Sequence, residues 1–314
     1  MRQPSFLAIA QNKKQLKCER FLNEMRTVVP WQELTAVIEP FYQKEAIGRG
    51  KMDLLLMLKI YFLQQWYDLS DPGAEEAIYD RNSFQKFLEI DLISAAVPDE
   101  TTILNFRHLL EANRLQTKMF EAINAVLKEK NMIMKNGVIL DATIIHAPKS
   151  TKNIEKKRDP EMSSTQKNGQ WQFGMKAHIN VDCDKGLVKK VKITTAKVHD
   201  KKRMDELLDG DENAIFGDKA YADQRIKMKM RREGRFYGIL DKGVRNKKLS
   251  ASQHKRNRKL SSIRCKVERP FLIIKCLWHH TKTRYRGLNK NGAQLTILFG
   301  LANLYLVRKQ LLCA

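Results

Sequence analysis

Apolar residues recur at helical spacing through the first 130 positions, then switch to continuous or alternating runs. "WQELTAVIEPFY" (31–42) and "KMDLLLMLKIYFLQQWYDL" (51–69) both carry helical periodicity. The second is so broadly apolar that it predicts a helix in the middle of a bundle. "SDPGAEEAIYD" predicts a helix start with Asp71 as cap and Pro72 in the first turn. "VPDETTILNFRHLLEANRL" repeats the device with Asp99 as N-cap. "TKMFEAINAVLKEKN" (117–131) closes this part, so residues 1–132 are expected to form an all-α domain.

The pattern changes at Lys135-Asn136-Gly137. "GVILDATII" is a β-branched run suited to a strand covered on both faces. Residues 148–172 are polar and lack periodicity, so a mobile loop is expected there. "FGMKAHINV" alternates, and with the turn "DCDKG" and "LVKKVKI" it predicts an antiparallel hairpin. "KKRMDELL", "NAIFGD", "KAYADQRIKMKMRRE" and "FYGIL" predict helix, strand, helix and strand. "VERPFLIIKCLWHH" and "GAQLTILFGLANLYLVRKQLL" predict two final helices. An early hairpin followed by βα units gives an α/β fold over 133–314, with a mixed sheet flanked by helices.

Composition sharpens the picture in one direction. The 314 residues carry 58 Lys and Arg against 35 Asp and Glu, a formal net charge of +23. Such an excess repels itself in a compact fold and suits a polyanion, with nucleic acid first and an anionic membrane second. A membrane span is not expected, since no run of about 18 apolar residues occurs. The start of the sequence is a poor signal peptide. The five scattered cysteines include no CxxC pair, which argues against a disulfide framework or a zinc finger and for a reducing compartment. The span 242–266 is basic without one acidic residue. It includes Lys247, Lys248, Lys255, Arg256, Arg258 and Lys259.

Three acidic residues stand out. Asp141 interrupts an apolar strand, where an unpaired carboxylate costs several kcal/mol, on the order of 2–7 even for a neutral polar group. Asp218 follows a short strand, and carboxyl ends of strands are where sites gather. Glu268 shares a helical stripe with Arg264 and Lys275, beside an apolar stripe of Ile263, Val267, Phe271, Ile274 and Trp278. Pro270 should kink that helix or mark its first turn. Converging carboxylates suit a pair of Mg²⁺ ions, which prefer oxygen ligands and share them with phosphate. Two such ions about 4 Å apart activate a water or a 3′-hydroxyl on a phosphodiester. The plain readings compete: Asp218 as a helix cap, Arg264–Glu268 as a surface pair, Asp141 on a half-exposed edge strand. His146 and His199 are secondary candidates against structural roles. Trp171 is placed to stack on a base or pack on the core.

Together these segments resemble bacterial DDE transposases of the insertion-sequence-five family, over nearly the whole chain. The resemblance rests on "VPWQELTAVIEPFY", "LKIYFLQQWYDLSDPGAEEAIYD" and "VPDETTILNFRHLLE". Further along it rests on "ILDATIIHAPKSTKN", "RDPEMSSTQKNGQWQFGMKAHINVD", "FGDKAYAD", "VERPFLIIK" and "TRYRGLNKNGAQLTILFGLANLYL". It implies an RNase H-like core with Asp141, Asp218 and Glu268 as catalytic metal ligands. The family signature Tyr-x₂-Arg-x₃-Glu-x₆-Lys is met at Arg264, Glu268 and Lys275, with Ser261 where the Tyr stands.

The resemblance implies Mg²⁺, with Mn²⁺ able to substitute, and double-stranded DNA as partner, both terminal inverted repeats and target. Lys247, Lys248, Lys255, Arg256, Arg258, Lys259, Arg284, Arg286 and Trp171 would join Arg264 and Lys275 in positioning DNA. The N-terminal helices would read the element's ends. A homodimer during synapsis, a bacterial cytoplasmic, nucleoid-associated location and no membrane complete the expectation. Two rivals stay open: a non-transposing nuclease with the same triad, and a catalytically inactive DNA-binding relic.

Overall fold

The computed structural model describes residues 16–42, 51–93, 95–134, 136–154, 156–167, 169–243 and 248–313. Lys247, one of the expected DNA contacts, lies outside them.

The first half is helical: α1 (Lys17–Val28), α2 (Trp31–Ile38), α3 (Leu54–Tyr67), α4 (Asp71–Asp80), α5 (Asn82–Leu88), α6 (Glu100–Ala112) and α7 (Leu115–Glu129). As its composition predicts, α3 runs through the middle, buried from Met57 to Trp66. Two of its buried polar side chains reach carboxylates: Lys59 lies 2.9 Å from Glu89, and Gln64 donates to Asp71 at 2.8 Å. Trp31, Phe62, Trp66 and Phe87 pack ring on ring around it. Asp99 caps α6, its carboxylate accepting from the Thr102 amide at 2.7 Å. The cap of α4 is Ser70, whose hydroxyl accepts from the Gly73 amide, and not Asp71. Asp71 is instead drawn inward by Arg107, at 2.8 Å. A buried guanidinium needs a carboxylate more than a solvent-facing amide does.

The second half begins with β1 (Val138–His146), then β2 (Ser163–Lys167), β3 (Gln170–Asp182) and β4 (Val188–Thr195). Next come α8 (Met204–Leu207), β5 (Ala214–Gly217), α9 (Gln224–Arg232) and β6 (Phe236–Ile239). Then follow α10 (Ala251–Arg264), α11 (Glu268–Leu272), one π-helical turn (Ile273–Leu277) and α12 (Leu288–Leu312). β1 is central. It pairs antiparallel with β3 and parallel with β5, while β4 continues from β3 and β6 from β5. The order β4–β3–β1–β5–β6, three antiparallel strands and two parallel ones, is an RNase H-like sheet.

The loop expected over 148–172 needs correction at its end. The end of the supposed loop, Ser163–Lys167, is a strand paired with Gln170–Gly174. Its side chains are mostly exposed, so it lacks the apolar alternation that marks a strand with a buried face. Of the two roles expected for Pro270, a kink or a first turn, the structure shows the second. Pro270 sits in the first turn of α11, where its missing N–H costs nothing, and a 3₁₀ turn (Cys265–Val267) joins α10 to it.

α12 ties the two halves together. It packs on α7 and α1 on one side and on β4 on the other. Asn303 accepts from the Val188 amide (2.7 Å) and donates to the Val188 carbonyl and to Asn124. By length and mean hydropathy α12 is the one described helix able to span a bilayer, yet most of its apolar window is buried inside the protein.

Candidate active site

Side chains alternate along β1, so Ile139, Asp141, Thr143 and Ile145 share one face of the sheet. α10, α11 and the π-helical turn cover that face. The last β1–β5 pair is Leu140↔Gly217, after which the parallel strands part. The next residue on each is acidic: Asp141 on β1, Asp218 on β5. The apolar run of β1 thus holds Asp141 in a rigid strand at the point where the sheet opens. Gly217 keeps this corner tight, since a Cβ there would meet Ile239 Cδ1 at 2.9 Å and the Tyr221 ring at 3.3 Å. Asp218 also does a plain job: its carboxylate accepts from the Lys219 amide at 2.6 Å and caps a 3₁₀ turn (Lys219–Tyr221).

Arg264 bridges to the third residue. Its guanidinium lies 2.9 Å from Asp141 Oδ2 and 3.5 Å from Glu268 Oε1. The helical spacing that puts Arg264 and Glu268 on one stripe therefore delivers both to β1. Asp141's side chain is 18 % exposed and Glu268's is 50 %. Burial pushes the Asp141 carboxyl up from 3.8 to about 6. The Ala142 amide and Arg264 oppose that, and the Glu268 and Asp200 charges add to it. Lys275 lands on the same strand, donating to Thr143 Oγ1 (2.6 Å) and to the Ile144 carbonyl (2.7 Å). Burial, then the neighbouring Lys167, pulls its ammonium below the usual lysine range.

The three carboxylates do not meet the tightest geometry for a shared ion. Among the described residues, the acidic side chains with oxygens all within 4.8 Å of one another are Asp209, Asp211 and Glu212, in the loop before β5. That cluster lies at the wrong end of β5, which by itself separates it from Asp218 by roughly 13 Å at 3.3 Å per residue. Its buried member, Glu212, already accepts from the Asp209 and Gly210 amides, at 2.5 and 3.0 Å. It is a turn, built much as a helix N-cap is. At the Asp141 corner the donors are carboxylate oxygens, one of them desolvated, with a guanidinium lying between two of them. Oxygen donors gathered around a positive charge fit a hard divalent cation.

The other expected DNA contacts divide. Lys248, Lys255, Arg258 and Lys259 are exposed on or just before α10. Arg256 is spent inside the protein, donating to the Tyr237 and Ile239 carbonyls and to Asp241. Arg284 is likewise committed, 2.6 Å from Asp68 of the helical half. Arg286 is exposed and, with Lys157 and Arg158, lines a cavity of about 220 Å³. Trp171 is 65 % exposed on the β2–β3 hairpin, where it cannot be a core residue. His199 caps a turn through Nδ1, and His146 is engaged through its backbone with Thr281 and Thr283. Inspection of the sequence missed Lys176, His178, Asp200 and Tyr221 beside the corner. A histidine inside the alternating strand "FGMKAHINV" and a tyrosine three residues after Asp218 were the available signals.

Residues 133–304, more than half of the chain, match the family model for the Transposase DDE domain. Residues 10–109 match that for the Transposase domain (DUF772). Similar solved structures include the piggyBac transposase synaptic complex with hairpin DNA, at 10 % identity and a TM-score of 0.46, covering 97 % of this chain and 77 % of that one. The Mos1 strand transfer complex follows at 11 % identity and a TM-score of 0.20, covering 77 % and 82 %.

Proposed function

This chain belongs to the DDE-domain transposases, and we propose that it is an insertion-sequence transposase of the insertion-sequence-five type. Asp141, Asp218 and Glu268 serve as its metal-binding catalytic carboxylates. The observation that carries this reading is the meeting of Asp141 with Arg264 and Glu268 where β1 and β5 part beside Asp218.

A pair of Mg²⁺ ions, or Mn²⁺ in their place, supplies an activated water for strand cleavage, an activated 3′-hydroxyl for joining and charge stabilisation. The chain's own residues do the rest. Asp141 is fixed by its strand and gives up any proton before it can ligate. Glu268, half exposed on α11 and 3.5 Å from Arg264, would supply the third carboxylate. Arg264 holds both carboxylates and is placed to turn toward a phosphate once they are neutralised. Lys275 pins the π-helical turn to β1 and keeps Glu268 in reach. Lys248, Lys255, Arg258, Lys259 and Trp171 contact the DNA, and the helical region 1–132 reads the terminal inverted repeats. Two ends cut together call for a homodimer. α12 is read as a core helix, and the protein as a cytoplasmic, nucleoid-associated one.

The test is an excision and joining assay on DNA carrying the element's ends, with Asp141→Asn, Asp218→Asn and Glu268→Gln. Each variant is expected to fold and to lose both steps. Retention of cleavage by any one sinks the assignment. Cleavage without joining of pre-cut ends would favour a nuclease, and no metal-dependent cleavage by the parent would favour an inactive relic.

A further inference from the structure

Where the helical half meets the catalytic half, a cavity of about 690 Å³ opens between α1, the end of α3, the end of the π-helical turn and α12. Its size falls in the range of about 300–1,000 Å³ that takes a small molecule. Five aromatic side chains line it: Phe21, Trp66, Tyr67, Trp278 and Tyr305. Four of them touch in a chain. Phe21 meets Trp66 edge to face at 5.3 Å and Tyr305 at 5.9 Å, and Tyr305 meets Trp278 at 6.1 Å. The chemistry of the Asp141 corner uses none of them.

Two further features say what such a cavity takes. The first is a donor. Trp66 is 3 % exposed, and its Nε1–H has no acceptor among the described residues. The Trp31 indole of the same bundle, by contrast, donates to the Arg26 carbonyl at 2.8 Å. A buried indole N–H normally finds a partner, so this wall calls for an acceptor from a ligand. The second feature is charge. Lys17, Arg20, Arg308 and Lys309 line the cavity, with Glu24 as the one acidic residue among its lining. Arg308 answers Glu24 at 2.8 Å while its guanidinium lies over the Tyr305 ring, 3.8 Å from the centre. Lys17, Arg20 and Lys309 are exposed and have no carboxylate partner among the described residues.

A flat ring system with acceptors on its edge and an anion attached meets all three conditions at once. We propose that this cavity binds a nucleoside phosphate. The base lies among the rings and accepts from Trp66 Nε1, and the phosphate sits at Lys17, Arg20 and Lys309. Aromatic rings stack on any base, and cations at the mouth hold phosphate by charge-assisted hydrogen bonds. The proposal does not depend on the metal reading of the Asp141 corner. Two sources offer this chemistry, a free mononucleotide and a nucleotide turned out of a DNA strand.

The experiment is isothermal titration of the full chain with deoxyadenosine monophosphate, deoxyadenosine and inorganic phosphate as separate probes, with thermal melts alongside. The monophosphate is expected to bind about tenfold or more tighter than either fragment, the worth of adding one stacked base. Arg20→Gln and Lys309→Gln change exposed, unpaired cations, so they should melt with the parent yet bind the monophosphate about tenfold more weakly. Trp66→Phe keeps a ring, removes the donor and should weaken binding several-fold. No binding of the monophosphate, an affinity equal to that of inorganic phosphate, or an affinity unchanged in both Arg20→Gln and Lys309→Gln overturns the proposal. Competition separates the sources. Displacement by a duplex with one unpaired adenine, and not by the fully paired duplex, supports the cavity and makes DNA the donor of the nucleotide. Displacement by neither supports it with the free nucleotide as ligand. Equal displacement by both would place the probe on a general phosphate-binding surface and overturn the proposal.

Discussion

Two groups of carboxylates sit at opposite ends of β5, and they are held in opposite ways. At the N-terminal end, Asp209, Asp211 and Glu212 crowd within 4.8 Å of one another. They can do so because their charge is already answered: Glu212 accepts two backbone amides, and Asp209 lies 2.5 Å from Lys190. At the C-terminal end, Asp141, Asp218 and Glu268 stand further apart. Asp141 is short of solvation, and one arginine spans the gap to Glu268. Carboxylates answered by amides and a lysine can crowd together in this way. Like charges without such partners repel one another.

The largest difference that this comparison predicts is in metal binding and cleavage. Asp141→Asn should abolish DNA cleavage and lower Mn²⁺ affinity on the order of 100-fold or more, since even partners one shell out from a metal typically cost 10–100-fold. Asp211→Asn, in the tighter cluster, should leave both within twofold of the parent. Isothermal titration with Mn²⁺ and a cleavage assay decide it. Equal losses would mean that the tight cluster is a site after all.

Removing the bridging cation comes next. Arg264→Ala leaves Asp141 and Glu268 facing each other unneutralised, and should cost about 2 kcal/mol of stability without metal, the worth of hydrogen bonds to charged groups. Thermal melts in EDTA measure it. Added Mg²⁺ should raise the midpoint more in Arg264→Ala than in the parent. An unchanged EDTA midpoint would show that Arg264 holds nothing there.

Much of the corner was legible in the sequence, for physical reasons that also explain the gaps. Asp141 could be singled out because an apolar β-branched run has no use for a carboxylate. Glu268 could be tied to Arg264 because a four-residue step on a helix makes neighbours. Nothing local told that Arg264 reaches across 123 residues of chain to Asp141. That contact depends on how α10 lies on the sheet. The fates of Arg256 and Arg284 were hidden for the same reason. Each is one more cation in a basic stretch until the fold shows Arg256 turned onto the carbonyls ending β6 and Arg284 onto Asp68. The strand Ser163–Lys167 escaped because it buries no face, and periodicity reports burial rather than pairing.

A third difference is in proton linkage. A carboxyl held up at about 6 is protonated below that pH, and the proton competes with a cation for the same oxygens. Mn²⁺ affinity should therefore fall about tenfold between pH 7 and pH 5, in proportion to the ionised fraction. In the Asp141→Asn protein the residual affinity should lose this step. A parent affinity that is flat across the interval would mean that Asp141 does not ligate.

The smallest effect is expected at the other end of β5, where it completes the contrast. Glu212 is 3 % exposed and closes its turn through the Asp209 and Gly210 amides, while Arg235 donates to the Glu212 carbonyl. Glu212→Ala removes both acceptors, and like the loss of a helix N-cap it should cost about 1 kcal/mol. The loss should appear in thermal melts and be the same in EDTA as in Mn²⁺, because no ion is being given up. Glu212→Gln keeps one oxygen acceptor and should fall between the two. A loss that grows when Mn²⁺ is present would show that the tight cluster binds the ion, and would reverse the assignment of the two ends.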